Sequence, residues 1–259
     1  LIAAQGDTTT VKVLTLNTGM VAEITVQTPN GEIDYEGDAR IDGAPGHSAP
    51  IKINFLDTAG SVAGSLLPTG NVVDVFSIEG VGDLQATCID NGMPMVLVRA
   101  SDMQRTAYES VADLNQDTDL KAKIEQLRLQ AALKMGLGDV SGKNYPKMCL
   151  LNSPINGGAI HTRCYIPHVC HDAIGVLAAV TVATACVLPG SVADGLAVAG
   201  RVDGNSSLMS IEHPSGEFSV ELTTAADDAT NVLSAALLRT ARLIMRGEVM
   251  VASHLGTQA

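Results

Sequence analysis

The sequence predicts an α+β protein that is rich in antiparallel strands and has one buried helix. Short alternations of apolar and polar residues recur near both ends of the chain, Gly, Pro and Asn clusters separate them, and only two long segments have helical periodicity. With 259 residues, of which 46% are hydrophobic, the chain is long enough for one large core or two modest ones. Aromatic residues make up only 3%, so this core must be aliphatic.

The predicted strands of the first hundred residues share a two-residue alternation and lie between turn signals. They are residues 11–16, 21–27, 32–35, 47–55, 84–89 and 95–99. Asn17-Thr18-Gly19 and Pro29-Asn30-Gly31 supply the first two turns. Residues 60–73 do not alternate and are rich in turn formers, so we expect them to form a loop that links two lobes.

Two helices follow. Asp117 or Thr118 caps the first, apolar residues recur on one face from Leu120 to Ala131, and Gly136 lies just past its end. The second, at about 172–188, is apolar almost all round, which predicts a buried central helix. The remaining predicted strands are residues 147–151, 160–166, 208–212, 217–222, 237–244 and 248–251.

Composition excludes several classes of partner. The formal net charge of −12 argues against nucleic acid, although it permits a small anion held by local cations and a helix N-terminus. Five cysteines, an odd number without dense spacing, indicate reduced thiols in a cytoplasmic protein. The longest apolar run, residues 174–188, is too short and too rich in Ala and Thr for a membrane span. The first residues have neither an initiator Met nor a basic signal region, so we expect that the chain begins partway through a longer protein.

One segment of ionisable residues leads directly into the central helix: Arg163, His168, His171, Asp172 and Ala173 lie in it. A helix N-terminus has free N–H groups and about half a positive charge, which favours a carboxylate or an enolate. His168 and His171 are candidates for proton transfer near neutral pH, and Arg163 for pairing with a second carboxylate. The structural alternative is that Asp172 only caps the helix and that the histidines bond backbone carbonyls.

The same segment admits a zinc interpretation. The candidate ligands are His161, Cys164, His168, Cys170 and His171. Structural zinc sites usually have paired ligands at short spacing, and this segment has no second Cys pair of that kind. If residues 160–166 form a strand, alternate side chains point to opposite faces and scatter the ligands. We therefore predict no metal site.

Three glycine-containing turns are candidates for loops that approach a ligand closely. They are Thr69-Gly70-Asn71, Asn91-Gly92-Met93 and Ser215-Gly216. By sequence alone, the first and the last are better explained as plain turns than as ligand-binding loops. No Gly-rich phosphate loop, nucleophile elbow or zinc-protease helix motif occurs in the chain.

Eight segments recur in the same order in one known family. They are residues 67–71, 87–94, 137–140, 146–151, 166–176, 181–186, 212–218 and 239–243. The chain resembles PrpF-type isomerases of the diaminopimelate-epimerase-like superfamily, and most closely the 4-oxalomesaconate tautomerase branch, in which Asn91-Gly92-Met93-Pro94 is the typical form. The resemblance extends over nearly the whole chain.

The resemblance implies two lobes, each a curled, mostly antiparallel sheet around a central helix, with the active site between them. Residues 1–78 would be the remainder of an N-terminal lobe and residues 79–259 the C-terminal lobe, whose last strands return to the first. It implies a cytoplasmic isomerase that moves a proton in an unsaturated keto tricarboxylate, 4-oxalomesaconate, in gallate catabolism, without metal or organic cofactor. The substrate-binding residues are then Thr69, Gly70, Asn71, Asn91, Gly92, Met93, Arg163, His168, His171, Asp172, Ala173, Ser215 and Gly216.

The sequence departs from this family at its start. PrpF-type enzymes open with a Gly-Gly-Thr-Ser-Lys-Gly segment, then a Thr-Ser-Lys segment and an Asn-Cys-Gly-Asn turn, whose Lys and Cys are the proposed proton-transfer pair. None of the three occurs here, so the principal acid and base are unassigned, with His171 and His168 as weak candidates. We expect an incomplete first lobe, a chain that is inactive alone, and a homodimer or aggregate that covers exposed apolar faces.

Three other functions compete with this one. An aconitate isomerase of the same family would use a related polycarboxylate. A non-catalytic carboxylate-binding or assembly protein would keep the fold without the chemistry. An epimerase of amino or hydroxy acids ranks lower, because that chemistry usually needs a lone Cys between glycines where this chain has Cys170-His171.

Overall fold

The computed structural model describes residues 2–16, 19–42, 44–198 and 200–251. Within them, three α-helices accompany a sheet of twelve strands, which confirms the α+β class. The strands are β1 (Thr8–Leu14), β2 (Val21–Gln27), β3 (Ile51–Phe55), β4 (Asp74–Ile78), β5 (Gly82–Asp90), β6 (Pro94–Arg99), β7 (Lys147–Asn152), β8 (Ile160–Tyr165), β9 (Arg201–Asp203), β10 (Ser206–His213), β11 (Gly216–Thr224) and β12 (Val232–Arg239). The helices are α1 (Val111–Gln116), α2 (Thr118–Lys134) and α3 (Val176–Val187). Asn17 and Thr18 of the predicted first turn lie outside the described residues.

One sheet joins all of these strands. Their order is β1-β2-β3-β12-β11-β10-β8-β7-β6-β5-β4, and β9 adds to β10. Neighbouring strands are antiparallel except for β6 with β7 and β8 with β10, which are parallel. The C-terminal strand β12 lies between β3 and β11, with Ala235 opposite Phe55 and Leu237 opposite Val220. The hydrogen-bonded ladder therefore connects the N-terminal strands to the rest of the sheet through the last strand.

Two apolar cores lie on opposite faces of this sheet. In β6, Met95 and Leu97 belong to the core that contains α3, whereas Val96 and Val98 belong to the core that contains α2. This division follows from the two-residue period of a strand. Because all four side chains are at most 1% exposed, each stabilises the fold by about 1.5–3 kcal/mol relative to an exposed position. The central strands are thus fixed from both sides.

Helix α3 is the predicted buried helix. All residues from Ala178 to Ala185 are buried, because α3 contacts strands on both sides of β7 and β8, from β5 and β6 to β10, β11 and β12. Gly175, rather than Asp172, precedes the first helical residue, so the predicted start at about residue 172 is wrong by four residues. The backbone before it is held to β8 instead, where the His171 N–H donates to the Cys164 carbonyl. No helix among the described residues is long and apolar enough to cross a membrane.

Helix α2 agrees closely with its prediction. The Asp117 carboxylate accepts a hydrogen bond from the Leu120 N–H and caps the helix, and its apolar face from Leu120 to Ala131 is buried. Gly136 has a φ of +72° just beyond the end, the left-handed conformation that glycine adopts without steric cost. Local signals alone therefore position this helix.

The predicted strands at residues 32–35 and 248–251 are wrong, and the one at 237–244 is only partly correct. Residues 32–35 follow a 3₁₀ turn at Pro29–Gly31 and make isolated hydrogen bonds instead of a ladder. The strand predicted at 237–244 is β12, which begins at Val232, and residues 240–251 have no regular structure. Apolar runs continue past Arg239, but their side chains are largely exposed, and none of the strands that the structure describes pairs with them.

Strand β4 was not predicted. Its buried positions are Asp74, Phe76 and Ile78, so a carboxylate occupies a position where the alternation requires an apolar side chain. The Lys134 ammonium of α2 lies 3.4 Å from the Asp74 carboxylate and provides its partner. This long-range contact is invisible in the sequence.

Candidate functional site

The start of α3 has the features of an anion-binding end. Gly175 is the N-cap, no side chain caps the helix, and the first turn contains no acidic residue. The first N–H groups of a helix have no acceptor within it and carry a partial positive charge. Asp172 does not cap α3, so that structural alternative is wrong. Its carbonyl instead accepts a hydrogen bond of 2.6 Å from the Ser215 hydroxyl.

His171 is oriented by the backbone beside it. The N–H of Ala173 donates to Nδ1 of His171 over 2.9 Å. This nitrogen must therefore be unprotonated, and a neutral ring carries its proton on Nε2. The side chain is half-buried and lies in the segment that leads into α3.

A second histidine lies close to His171. His213 ends β10, and both the hydroxyl and the N–H of Ser215 lie 3.3 Å from its Nδ1. Burial lowers the pKa of His213. The nearby Glu217 and Asp42 act in the opposite direction, and His171 is near enough to lower this pKa further. Sequence reasoning treated His213 only as part of a turn signal. The β10–β11 turn thus places His213 and Ser215 against the segment that enters α3.

The turn between β5 and β6, residues 91–93, packs against the start of α3. Gly92 has a φ of +89°, and a Cβ there would lie 3.0 Å from the Leu177 side chain in the first turn of α3. The Asn91 side chain is fully buried and donates to the Thr184 hydroxyl over 2.8 Å. The Thr181 hydroxyl lies 3.1 Å from the carbonyls of both Asn91 and Met93. Asn91 therefore anchors the turn, while Gly92 and Met93 come close to the start of the helix.

Replacing Thr181 by Val should weaken the attachment of the β5–β6 turn to α3. Valine has nearly the same shape but leaves the Asn91 N–H, which lies 3.3 Å from the hydroxyl, without its acceptor. We expect the free energy of unfolding to fall by about 1–2 kcal/mol, measured by urea denaturation. Thr223→Val, which removes a hydroxyl contact at a half-buried position, is the control and should cost less than about 0.5 kcal/mol. Equal losses in the two variants would contradict the anchoring role.

Lys147 is a residue that the sequence reasoning missed. It is the first residue of β7, and its Nζ lies 3.4 Å from the position that a Cβ on Gly175 would occupy. Burial lowers the pKa of this half-buried ammonium. No carboxylate among the described residues lies within ion-pair distance of it. A charged residue at the start of an otherwise apolar strand was the signal that could have identified it.

Other predicted site residues make contacts away from the α3 N-terminus. Arg163 is 6% exposed and donates to the carbonyls of Glu109 and Thr162. His168 lies with its Nδ1 3.5 Å from the Glu125 carboxylate of α2. Their roles in substrate binding stay predictions.

The predicted turn at 69–71 is local. The Asn71 amide donates to Asp74, and Thr69 contacts Asn71. In the described part of the chain, no hydrogen bond joins this turn to the start of α3. The flanking Leu67 and Val72 nevertheless pack against the α3 core, so the turn lies beside it.

The candidate zinc ligands do not converge. His161 and Cys164 point to opposite faces of β8, and His168 turns towards α2. A group of three His, Cys, Asp or Glu side chains suited to a metal ion does not occur among the residues that the structure describes.

Comparison with known proteins identifies the family. The model of the PrpF protein family matches residues 1–252. The chain belongs to the PrpF family. It is 53% identical over 251 residues to the (4E)-oxalomesaconate Delta-isomerase of Novosphingobium sp. strain KA1, covering 97% of this chain and 68% of the relative. It is 48% identical to the 4-oxalomesaconate tautomerase of Pseudomonas putida, covering 97% and 67%. The crystal structure of a methylitaconate-delta-isomerase superposes with a TM-score of 0.83 at 30% identity, covering 96% of this chain and 67% of that one.

These matches confirm the resemblance inferred from the ordered segments. The chain spans about two thirds of the length of these PrpF-family relatives. The residues that surround the start of α3 all lie within the part of the chain that the family model matches.

A buried polar network in this PrpF-family chain was also missed by the sequence reasoning. Glu212, 1% exposed, accepts hydrogen bonds from the N–H groups of Ile155, Asn156 and Gly158 at 2.7–2.9 Å. A fourth contact joins its carboxylate to His161 Nδ1 at 2.8 Å. Burial alone would raise the pKa of the Glu212 carboxyl, but these donors outweigh it and lower the pKa.

The network continues to Arg163. Its Nη1 donates to Nε2 of His161 over 2.6 Å, so the His161 ring is neutral and donates to Glu212 through Nδ1. Burial lowers the pKa of His161, against the opposing effect of Glu212. By strand alternation these side chains lie on the face of β8 opposite α3. The network therefore holds β8 in place from the face of the sheet opposite the candidate site.

Proposed function

We propose that the chain forms part of an isomerase that moves a proton within 4-oxalomesaconate, an unsaturated keto tricarboxylate. One observation carries this proposal: identities of 53% and 48% to two enzymes named for oxalomesaconate, each over 97% of the chain. Relatives named for other unsaturated acids are more distant, such as the 2-methyl-aconitate isomerase of Shewanella oneidensis at 29%. The substrate class is therefore a polycarboxylate, and oxalomesaconate is its most strongly supported member.

The geometry at α3 suits this chemistry. Removing a proton beside a carbonyl or a conjugated carboxylate leaves an enolate, whose charge must be stabilised. The free N–H groups after Gly175 offer that stabilisation without a metal or an organic cofactor. His171, held by the Ala173 N–H through Nδ1, lies in the segment just before them. We propose that Gly92, Met93, Asp172, Ala173, Ser215 and Gly216 line the same site, and we leave the principal acid and base unassigned.

We propose further that the sheet divides into two lobes with the site between them. The high similarity to the methylitaconate-delta-isomerase structure supports a common fold. In this division β1–β3 belong to the first lobe, and β12 returns to it by pairing with β3. The pairing of β4 with β5 favours a boundary in the loop before Asp74 over one at residue 78. A cytoplasmic location stays a prediction.

A solvent-exchange experiment tests the activity. The intact protein is incubated with 4-oxalomesaconate in D₂O, and ¹H NMR follows the substrate protons while ultraviolet absorbance follows the conjugated keto acid. We expect enzyme-dependent loss of one proton signal and a matching absorbance change, both unaffected by a chelator. Activity that disappears with chelator and returns with zinc would contradict the cofactor-free mechanism. Binding without any exchange would favour a non-catalytic carboxylate-binding protein, and faster turnover of aconitate would change the substrate.

A further inference from the structure

We propose that Lys147 binds a carboxylate group of the substrate at the start of α3. This inference rests on the proposed function, since it requires a substrate with several carboxylates. It assigns one of those carboxylates to a side chain that lies outside the predicted set of site residues.

The first step is the position of the ammonium group. Lys147 Nζ lies 3.4 Å from where a Cβ of Gly175 would be, so it sits directly over the N-cap residue of α3. Gly175 has a φ of −68° and a ψ of 150°, a conformation open to any residue. Glycine is therefore not required here by backbone strain. A Cβ there would be in ordinary van der Waals contact with the ammonium, which therefore lies next to the N-cap residue of α3.

The second step is the charge at this place. The N-terminus of α3 carries about half a positive charge, and the ammonium adds a full one. Neither is neutralised: the first turn has no acidic residue, and the described part of the chain offers Lys147 no ion-pair partner. These two positive groups repel each other in a half-buried position. A bound anion would be attracted by both and would offset their repulsion.

The third step is the surroundings. In the parallel β6–β7 pair, Lys147 is in register with Met95, which is fully buried, and Met93 precedes it in the turn that faces α3. Cys164 on β8 is an ionisable neighbour. Apolar neighbours exclude water and strengthen an ion pair that forms beside them. An anion that enters here would meet an ammonium, free N–H groups and few competing water molecules.

Calorimetry with a non-reacting tricarboxylate gives a direct test. Tricarballylate is titrated into the wild type, Lys147→Gln and Lys147→Arg, with glutarate as the dicarboxylate for comparison. We expect Lys147→Gln to weaken tricarballylate binding by about tenfold to a hundredfold and to lose most of the preference for it over glutarate. Lys147→Arg should stay within about threefold of the wild type because it retains the charge. KM for 4-oxalomesaconate should rise in parallel in Lys147→Gln.

Lys143→Gln is the matched control. Lys143 is exposed four residues earlier, with its ammonium over the Tyr145 ring at 5.3 Å, and its removal should leave binding unchanged. A second measurement needs no variant: acetylation of Lys147 by acetic anhydride, followed by mass spectrometry, should slow when tricarballylate or substrate is present. Unchanged KM and binding in Lys147→Gln, or unprotected acetylation, overturns the role of Lys147 while the isomerase function stands. A wild type that neither binds these acids nor exchanges substrate protons overturns the proposed function itself.

Discussion

Replacement of Glu212 by Gln should lower the free energy of unfolding by about 3–5 kcal/mol. The carboxylate accepts from three backbone N–H groups and from His161, and it is 1% exposed. Glutamine keeps the shape but presents a donor where donors already converge, so buried N–H groups lose their acceptor. Urea denaturation followed by circular dichroism measures the loss.

Glu217→Gln is the control for this variant. Glu217 lies five residues later on β11, is half-buried, and contacts the Ser219 hydroxyl through its side chain. It should change stability by less than about 0.5 kcal/mol. A loss in Glu212→Gln no larger than in this control would show that the network contributes little.

The same network sets the response to acid. The folded-state pKa values of Glu212 and His161 both lie below their ordinary values of 4.5 and 6.5. The folded state therefore binds fewer protons, and the stability that both groups contribute is present above those values and is lost as the pH falls through the folded pKa. Wild-type stability should begin to decrease below about pH 6.5 and decrease further below about pH 4.5. Glu212→Gln lacks the carboxyl contribution, so the gap between the two proteins should narrow in acid.

Replacement of Arg128 by Met should also destabilise the protein strongly, by about 3 kcal/mol or more. Its guanidinium is fully buried and donates to the carbonyls of Val140, Lys143 and Tyr145, besides pairing with Glu125. Methionine fits the apolar space but leaves these acceptors without donors. Thermal and urea denaturation report the loss. Because these carbonyls belong to the loop that leads into Lys147, a higher KM for substrate should accompany it.

Lys123→Met on the same helix is the matched control. Lys123 pairs with Asp119 one turn away, an exposed carboxylate, and such pairs contribute about 0.5 kcal/mol or less. If Arg128→Met were as stable as Lys123→Met, the loop before β7 would not depend on the guanidinium.

Local signals were sufficient for some elements and insufficient for others. Asp117, the apolar face and Gly136 predicted α2 because caps and periodicity are properties of neighbouring residues. Strand β4 was missed because Asp74 occupies a buried position, where its partners are the Asn71 amide and Lys134, which is 60 residues away. The start of α3 was placed too early because Asp172 has the chemistry of a cap, whereas the backbone there bonds to β8.

The candidate site shows the same limit. The segment around His171 was identified from ionisable residues preceding an apolar helix, and the Asn91–Met93 turn from its glycine. Lys147 and Gly175 are 28 positions apart and meet only through the pairing of β6 with β7 and the placement of α3. The contact of His161 with Glu212 spans 51 residues and depends on the parallel pairing of β8 with β10. Sequence patterns do not contain that strand order. The resemblance to the PrpF family implied a central helix within a sheet, but not these strand pairings.

The position of β12 has a consequence for synthesis on the ribosome. Strands β1–β3 enter the sheet by pairing with a strand that ends at Arg239, so they leave the ribosome well before the strand with which β3 pairs. During that interval β3 is an open edge, and such edges invite aggregation. Folding of this chain should therefore be slow and sensitive to chaperones that shelter nascent strands, since its closing contacts join residues about 180 positions apart.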